Sequence, residues 1–120
     1  MQRFLESSGL LLYCGLIYYL SAQSIISTPI QFVFHDKLQH FIAYAIMGLL
    51  AWRCNRHFKT FAHYPRLIPI LYCSLYGASD EWHQLFVSGR HADIIDWIAD
   101  ILGASLTVHF LFLYSKKHSQ

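Results

Sequence analysis

Charge is what this chain of 120 residues lacks. Asp, Glu, Lys and Arg make up 13% of it, about half the usual share of a soluble domain, while hydrophobic residues make up 55%. A small domain leaves much of its surface exposed, so a soluble body of this composition would show water far too many apolar side chains. A small membrane protein remains, with the lipid bilayer as its first partner. Cysteine is scarce as well: Cys14, Cys54 and Cys73 are odd in number and scattered, which excludes a disulfide framework and a CxxC metal knuckle. A dense basic patch is missing, and a formal charge of +2 spread along the chain excludes nucleic acid as a partner. There is no repeat and no low-complexity tract, and the length allows one domain, residues 1–120.

What the chain has is long apolar runs. Residues 4–22, 34–52, 67–86 and 94–114 meet or approach the roughly 20 residues that a helix needs to cross the hydrocarbon core. The expected fold is all-α, a polytopic membrane protein with a four-transmembrane-helix bundle. The first run, between Arg3 and Ser21-Ala22-Gln23, has the outline of a signal peptide, but Glu6 and the three later runs argue against cleavage. Polar linkers follow at 24–31 with Pro29, at 53–66 with Pro65, and at 88–93 around Gly89.

Lys and Arg set the expected orientation. Seven of the nine lie before the first run, in the 53–66 linker or in the C-terminal tail: Arg3, Arg53, Arg56, Lys59, Arg66, Lys116 and Lys117. Both termini and the middle linker should then be cytoplasmic. Trp82 and Trp97 would fall near the outer interface and Trp52 near the inner one.

The acids segregate the other way. Glu6 stands alone at the inner margin, whereas Asp36, Asp80, Glu81, Asp93, Asp96 and Asp100 all lie at the outer ends of the last three runs. At about 1.5 Å per residue, Asp80 and Asp100 sit roughly 9 to 10 Å inside their helices. Spacing shows which can meet. Lys37, His40 and Tyr44 recur at i, i+3 and i+7, as do Asp93, Asp96 and Asp100, while Asp80, His83 and Gln84 recur at i, i+3 and i+4. Ionisable side chains are costly against lipid, so these stripes should turn inward and form a polar pocket facing outward, with Arg90 in the loop above it. Glu81 points about 100° away from Asp80 and should face a different neighbour or the interface.

These residues resemble a known family. Asp36-Lys37 with His40, Tyr44 and Gly48, Asp80-Glu81 with His83-Gln84, then Arg90, Asp96, Asp100 and Gly103, look like the pattern of the VanZ-like membrane proteins. The resemblance runs from about Ser21 to Gly103, with Ser21, Gln23 and Ser24 as a weak leading element. Asp100 departs from it, since many members carry Asn there. The resemblance implies a four-span bacterial envelope protein of the cytoplasmic (inner) membrane, in a family linked to resistance to the glycopeptide teicoplanin.

Structural roles compete with functional ones at several positions. Asp36 in Asp-x-x-Gln and Asp93 in Asp-x-x-Asp fit helix N-caps. Gly48, Gly77 and Gly103 would allow close helix approach. His57 and His63 read as solvated, His91 as a loop residue near the pocket, and His109 as a hydrogen-bonded core histidine.

Three functions remain open. In the first, Lys37, His40, Tyr44, Asp80, Glu81, His83, Gln84, Arg90, Asp96 and Asp100 bind an anionic lipid-linked envelope precursor or other amphiphile at the outer leaflet. In the second, a divalent metal held among His40, Asp80, His83, Asp96 and Asp100 activates water in a membrane hydrolase, with His40, Asp80, His83 and Asp96 as catalytic candidates. The third is a proton-coupled transporter, which would need a homo-oligomer because four spans are few for alternating access.

Overall fold

The computed structural model of the chain describes residues 1–23 and 35–120. Among the described residues there are four α-helices and no strands: α1 (Gln2–Ser21), α2 (His35–Asn55), α3 (Leu67–Gln84) and α4 (Ile94–His118), with a single 3-10 turn at Lys59–Phe61. Each helix falls on one apolar run, its ends displaced by about a turn or less. Ser24, the 24–31 linker with Pro29, and the start of the second run at Phe34 lie outside the described residues.

Among the described residues two helices, α1 and α4, are long and apolar enough to cross a membrane. The other two fall below that measure because their polar stripes, Lys37 and His40 on α2 and Asp80 to Gln84 on α3, dilute the apolar positions. Large apolar side chains nevertheless point outward from all four, among them Leu12, Ile42, Leu75 and Phe110. An exterior of this kind suits hydrocarbon rather than water.

Helix ends follow local chemistry. Asp93 caps α4, its carboxylate accepting from the Ile95 N–H at 2.8 Å, while Lys116, Lys117 and His118 sit against the negative end of the same helix. Asp36 is not a cap: it lies within the first turn of α2, where it still complements the helix dipole. Pro69 falls in the first turn of α3, where its missing N–H costs no helical bond.

Glycines let the helices approach. A Cβ on Gly48 would stand 3.0 Å from the Ala104 Cα and carbonyl oxygen, and one on Gly103 would run into the Phe41 carbonyl. These two contacts bring α2 and α4 backbone to backbone, and this is the most extensive helix packing among the described residues. Gly77 of α3 faces the Asp100 carboxylate, 2.9 Å from the position of a Cβ. Helix α1 lies on α2 and α3 through Leu10, Cys14 and Ile17, which join Tyr44, Met47, Ala51, Cys73 and Ala104 in the core. The Tyr13 hydroxyl donates to the Ala43 carbonyl at 2.7 Å, and the Tyr76 hydroxyl donates to that of Cys14. The three tryptophans divide unevenly: Trp82 is open, Trp97 donates to the Ser74 carbonyl at 2.9 Å, and Trp52 is buried beneath the Arg56 guanidinium.

Candidate functional site

Helices α2 and α4 run in the same direction, so their polar stripes pair step by step. Lys37 Nζ lies 2.9 Å from Asp93 Oδ2 and 3.0 Å from Asp96 Oδ1. One turn further in, His40 Nδ1 lies 2.8 Å from Asp100 Oδ1, and its Nε2 lies 3.8 Å from Asp96 Oδ2. Another turn in, Tyr44 is buried, with its hydroxyl unpartnered among the described residues. Glu81 reaches this seam from α3. One of its oxygens accepts from the Asp93 N–H at 2.9 Å, and the other stands 3.9 Å from His40 Nδ1.

Exposure falls along the seam. The Lys37 and Asp93 side chains are 27% and 36% exposed, His40 is 15% exposed, and Asp100 has no exposed surface. The cluster thus has an accessible rim and a closed floor. Asp93 belongs to the rim, and the Lys37 ammonium with the Ile95 N–H beside it holds its carboxyl below the usual carboxylate range. Cap and ion pair therefore persist as pH falls toward that range and are lost only below it.

The sequence pattern of the VanZ/LLP1 family matches residues 10–115, a stretch that contains every residue of this cluster. The chain belongs to the VanZ/LLP1 family. No curated protein and no solved structure matches it. Family membership, the apolar exterior and two helices able to cross a bilayer together make the chain a VanZ-like membrane protein of the cell envelope.

In this VanZ-like chain the α3 stripe divides. Glu81 turns into the seam with α2 and α4, because the 100° step that takes it away from Asp80 takes it toward His40. Asp80 and His83 turn instead toward α1. The His83 ring stacks on Tyr18 with centroids 4.4 Å apart, and Asp80 is buried beside Ser21. The metal-ligand geometry shifts accordingly: His40, Glu81 and Asp100 offer ligand atoms within 4.8 Å of one another, and neither Asp80 nor His83 belongs to that group. Gln84 is buried at the end of α3.

Arg90 also does something that spacing could not foretell. Gly89, at φ 77°, closes a turn in which the Arg90 N–H bonds the Val87 carbonyl at 3.1 Å. The turn sends the guanidinium back to α1, where Nε donates to the Gln23 carbonyl at 2.9 Å and Nη2 to that of Leu20 at 3.2 Å. Helix α1 has no basic residue in its last turn, so Arg90 supplies that charge from across the fold. Arg90→Ala is expected to destabilise the protein by about 1 kcal/mol, read as a lower melting temperature in detergent; an unchanged melting curve would deny the cap.

At the opposite end, a second polar group was not foreseen as a unit. Glu6 accepts from Arg53 Nη2 at 2.6 Å, and its other carboxylate oxygen lies 2.7 Å from His57 Nε2, so His57 is a paired residue rather than a solvated one. The signal was present: Glu6 is the one acid at the basic end. These residues border a cavity of about 500 Å³ that also touches Trp52, Arg56 and Tyr114. A groove of about 580 Å³ runs by Tyr64, Arg66 and His109. His109 is exposed there, 3.3 Å from Arg66 Nη1, and is not a core histidine.

Proposed function

We propose that this VanZ-like chain is a multi-pass protein of the bacterial cytoplasmic membrane, with α1 to α4 as four spans and both termini cytoplasmic. In this reading the Lys37 to Asp100 cluster lies in the outer leaflet and binds the head group of a lipid-linked envelope precursor or similar amphiphile. The observation that carries it is the graded opening of the cluster. Lys37 stands at the rim and can meet a phosphate oxygen, and the carboxylates behind it can accept from head-group hydroxyls or amines.

The cations are less free than their sequence positions imply. Lys37 is shared by Asp93 and Asp96, and Arg90 serves α1, so a bound phosphate would compete with two carboxylates for one ammonium. Lys37→Ala is expected to weaken binding of a polyprenyl monophosphate, measured with purified protein in detergent, by about 1 to 3 kcal/mol. Binding unchanged by that substitution would overturn the head-group reading. Orientation has a separate check. Ser88 is exposed in the α3–α4 loop, and a cysteine placed there should react from the outside of intact cells with a thiol reagent that cannot cross membranes. Labelling only from the cytoplasmic side would reverse the bundle. The family's link to teicoplanin supplies the cellular readout: loss of this chain should raise teicoplanin susceptibility, and Lys37→Ala should fail to restore resistance.

A further inference from the structure

The cluster carries more negative charge than its own cations balance. Glu81, Asp93, Asp96 and Asp100 gather at the seam, where Lys37 is held by Asp93 and Asp96, Arg90 is turned to α1, and His40 is the remaining basic group among the described residues. Asp100 is fully buried and Glu81 nearly so. Buried carboxylates without counter-charge are expensive, and a cation is the direct remedy.

We propose that His40, Glu81 and Asp100 form a binding site for one divalent transition-metal ion at the floor of the cluster. The three ligand atoms lie within 4.8 Å of one another on three different helices. His40 Nδ1 is 2.8 Å from Asp100 Oδ1 and 3.9 Å from Glu81 Oε1, separations that bracket the roughly 3 to 3.5 Å between neighbouring ligands whose bonds to an ion are about 2.0 to 2.2 Å. Glu81 Oε1 supplies the independent sign of a ligand: it is buried, has no hydrogen-bond partner among the described residues, and points at His40. Its sister oxygen is fixed by the Asp93 N–H at 2.9 Å, which orients the carboxylate as an outer-shell bond should. One imidazole and two carboxylates suit Mn²⁺ or Zn²⁺. A three-ligand ion keeps coordination positions free toward the rim, where Lys37 stands. The ion would thereby let an anionic head group approach a surface that is otherwise acidic. In that capacity it rests on the head-group reading; as an ion site it rests on the geometry alone.

Mn²⁺ is the suitable probe, because it lies lowest in the divalent affinity order and adventitious histidine sites hold it least. Protein stripped with EDTA in detergent and titrated with Mn²⁺, free ion being read by electron paramagnetic resonance, should take up one ion per chain. Glu81→Gln and Asp100→Asn, both close in shape to the parent, should each weaken that binding at least about tenfold. His57→Ala, which removes a histidine at the far end, should leave it unchanged. No stoichiometric uptake, or equal uptake by the parent and both carboxamide variants, overturns the site. The two proposals separate cleanly. Loss of the ion with Lys37-dependent polyprenyl phosphate binding intact removes only the metal, and ion uptake without phosphate binding removes only the head group.

Discussion

Gly103→Val is expected to lower the stability of the folded protein by at least about 3 kcal/mol, the upper part of the range for overpacking. The reason is the identity of the obstacle. A Cβ at Gly103 meets the Phe41 carbonyl and, at 3.2 Å, the Ala45 amide nitrogen, which are backbone atoms of α2 and cannot rotate aside. Relief requires α2 and α4 to separate, and that separation also opens the Gly48 to Ala104 contact and stretches the seam from Lys37 to Asp100. Without a hydrophobic drive between helices in lipid, such close backbone packing is a main source of association. Gly15→Ala is the matched control: nothing lies within 4 Å of its Cβ position in α1, so the gain in helix propensity should stabilise by about 0.5 to 1 kcal/mol. Unfolding in rising detergent denaturant reads both. Equal midpoints for the two variants would mean that the α2–α4 contact is not made in the folded protein.

Much of this was visible in the residues themselves. The four apolar runs located four helices, and the i, i+3, i+7 spacing of Lys37, His40 and Tyr44 against Asp93, Asp96 and Asp100 anticipated the α2–α4 seam. Spacing within a helix fixes which side chains share a face, and two parallel helices with matching stripes leave little choice of partner. It does not fix which neighbour a face meets. Helix α1 has no ionisable stripe, so nothing in its sequence indicated that it would cover one flank of α3. That placement draws His83 onto Tyr18 and Asp80 toward Ser21, and turns Glu81 to His40. Arg90 was legible as a cation near the cluster; its use on the α1 carbonyls depends on the Gly89 turn and on where α1 ends, which are tertiary facts. The charge excess is likewise a result of assembly. Four acids spread over a sequence cost nothing until two helices bring them against one lysine and one histidine of a third.

His40→Leu in EDTA-treated protein is expected to cost about 3 to 5 kcal/mol, the penalty for removing one partner of a buried ionic pair. Asp100 has no exposed surface, and the imidazole 2.8 Å away is its hydrogen-bond partner among the described residues. Without the ring the carboxylate must stay charged and unpaired or take up a proton. Asp100→Asn should cost only about 1 kcal/mol, because the amide keeps an oxygen for the ring N–H while giving up a charge in a cluster rich in them. The informative variant is the double one, His40→Leu with Asp100→Leu. Leucine has the same branching as aspartate, and replacing both members of a buried pair with apolar groups is often neutral or stabilising. If that chain melts at or above the parent temperature and loses both Mn²⁺ uptake and polyprenyl phosphate binding, the pair is retained for what it binds and not for what it holds together. If instead the double variant is as unstable as His40→Leu alone, the pair is a structural tie between α2 and α4, and the ligand roles assigned to it fall with that result.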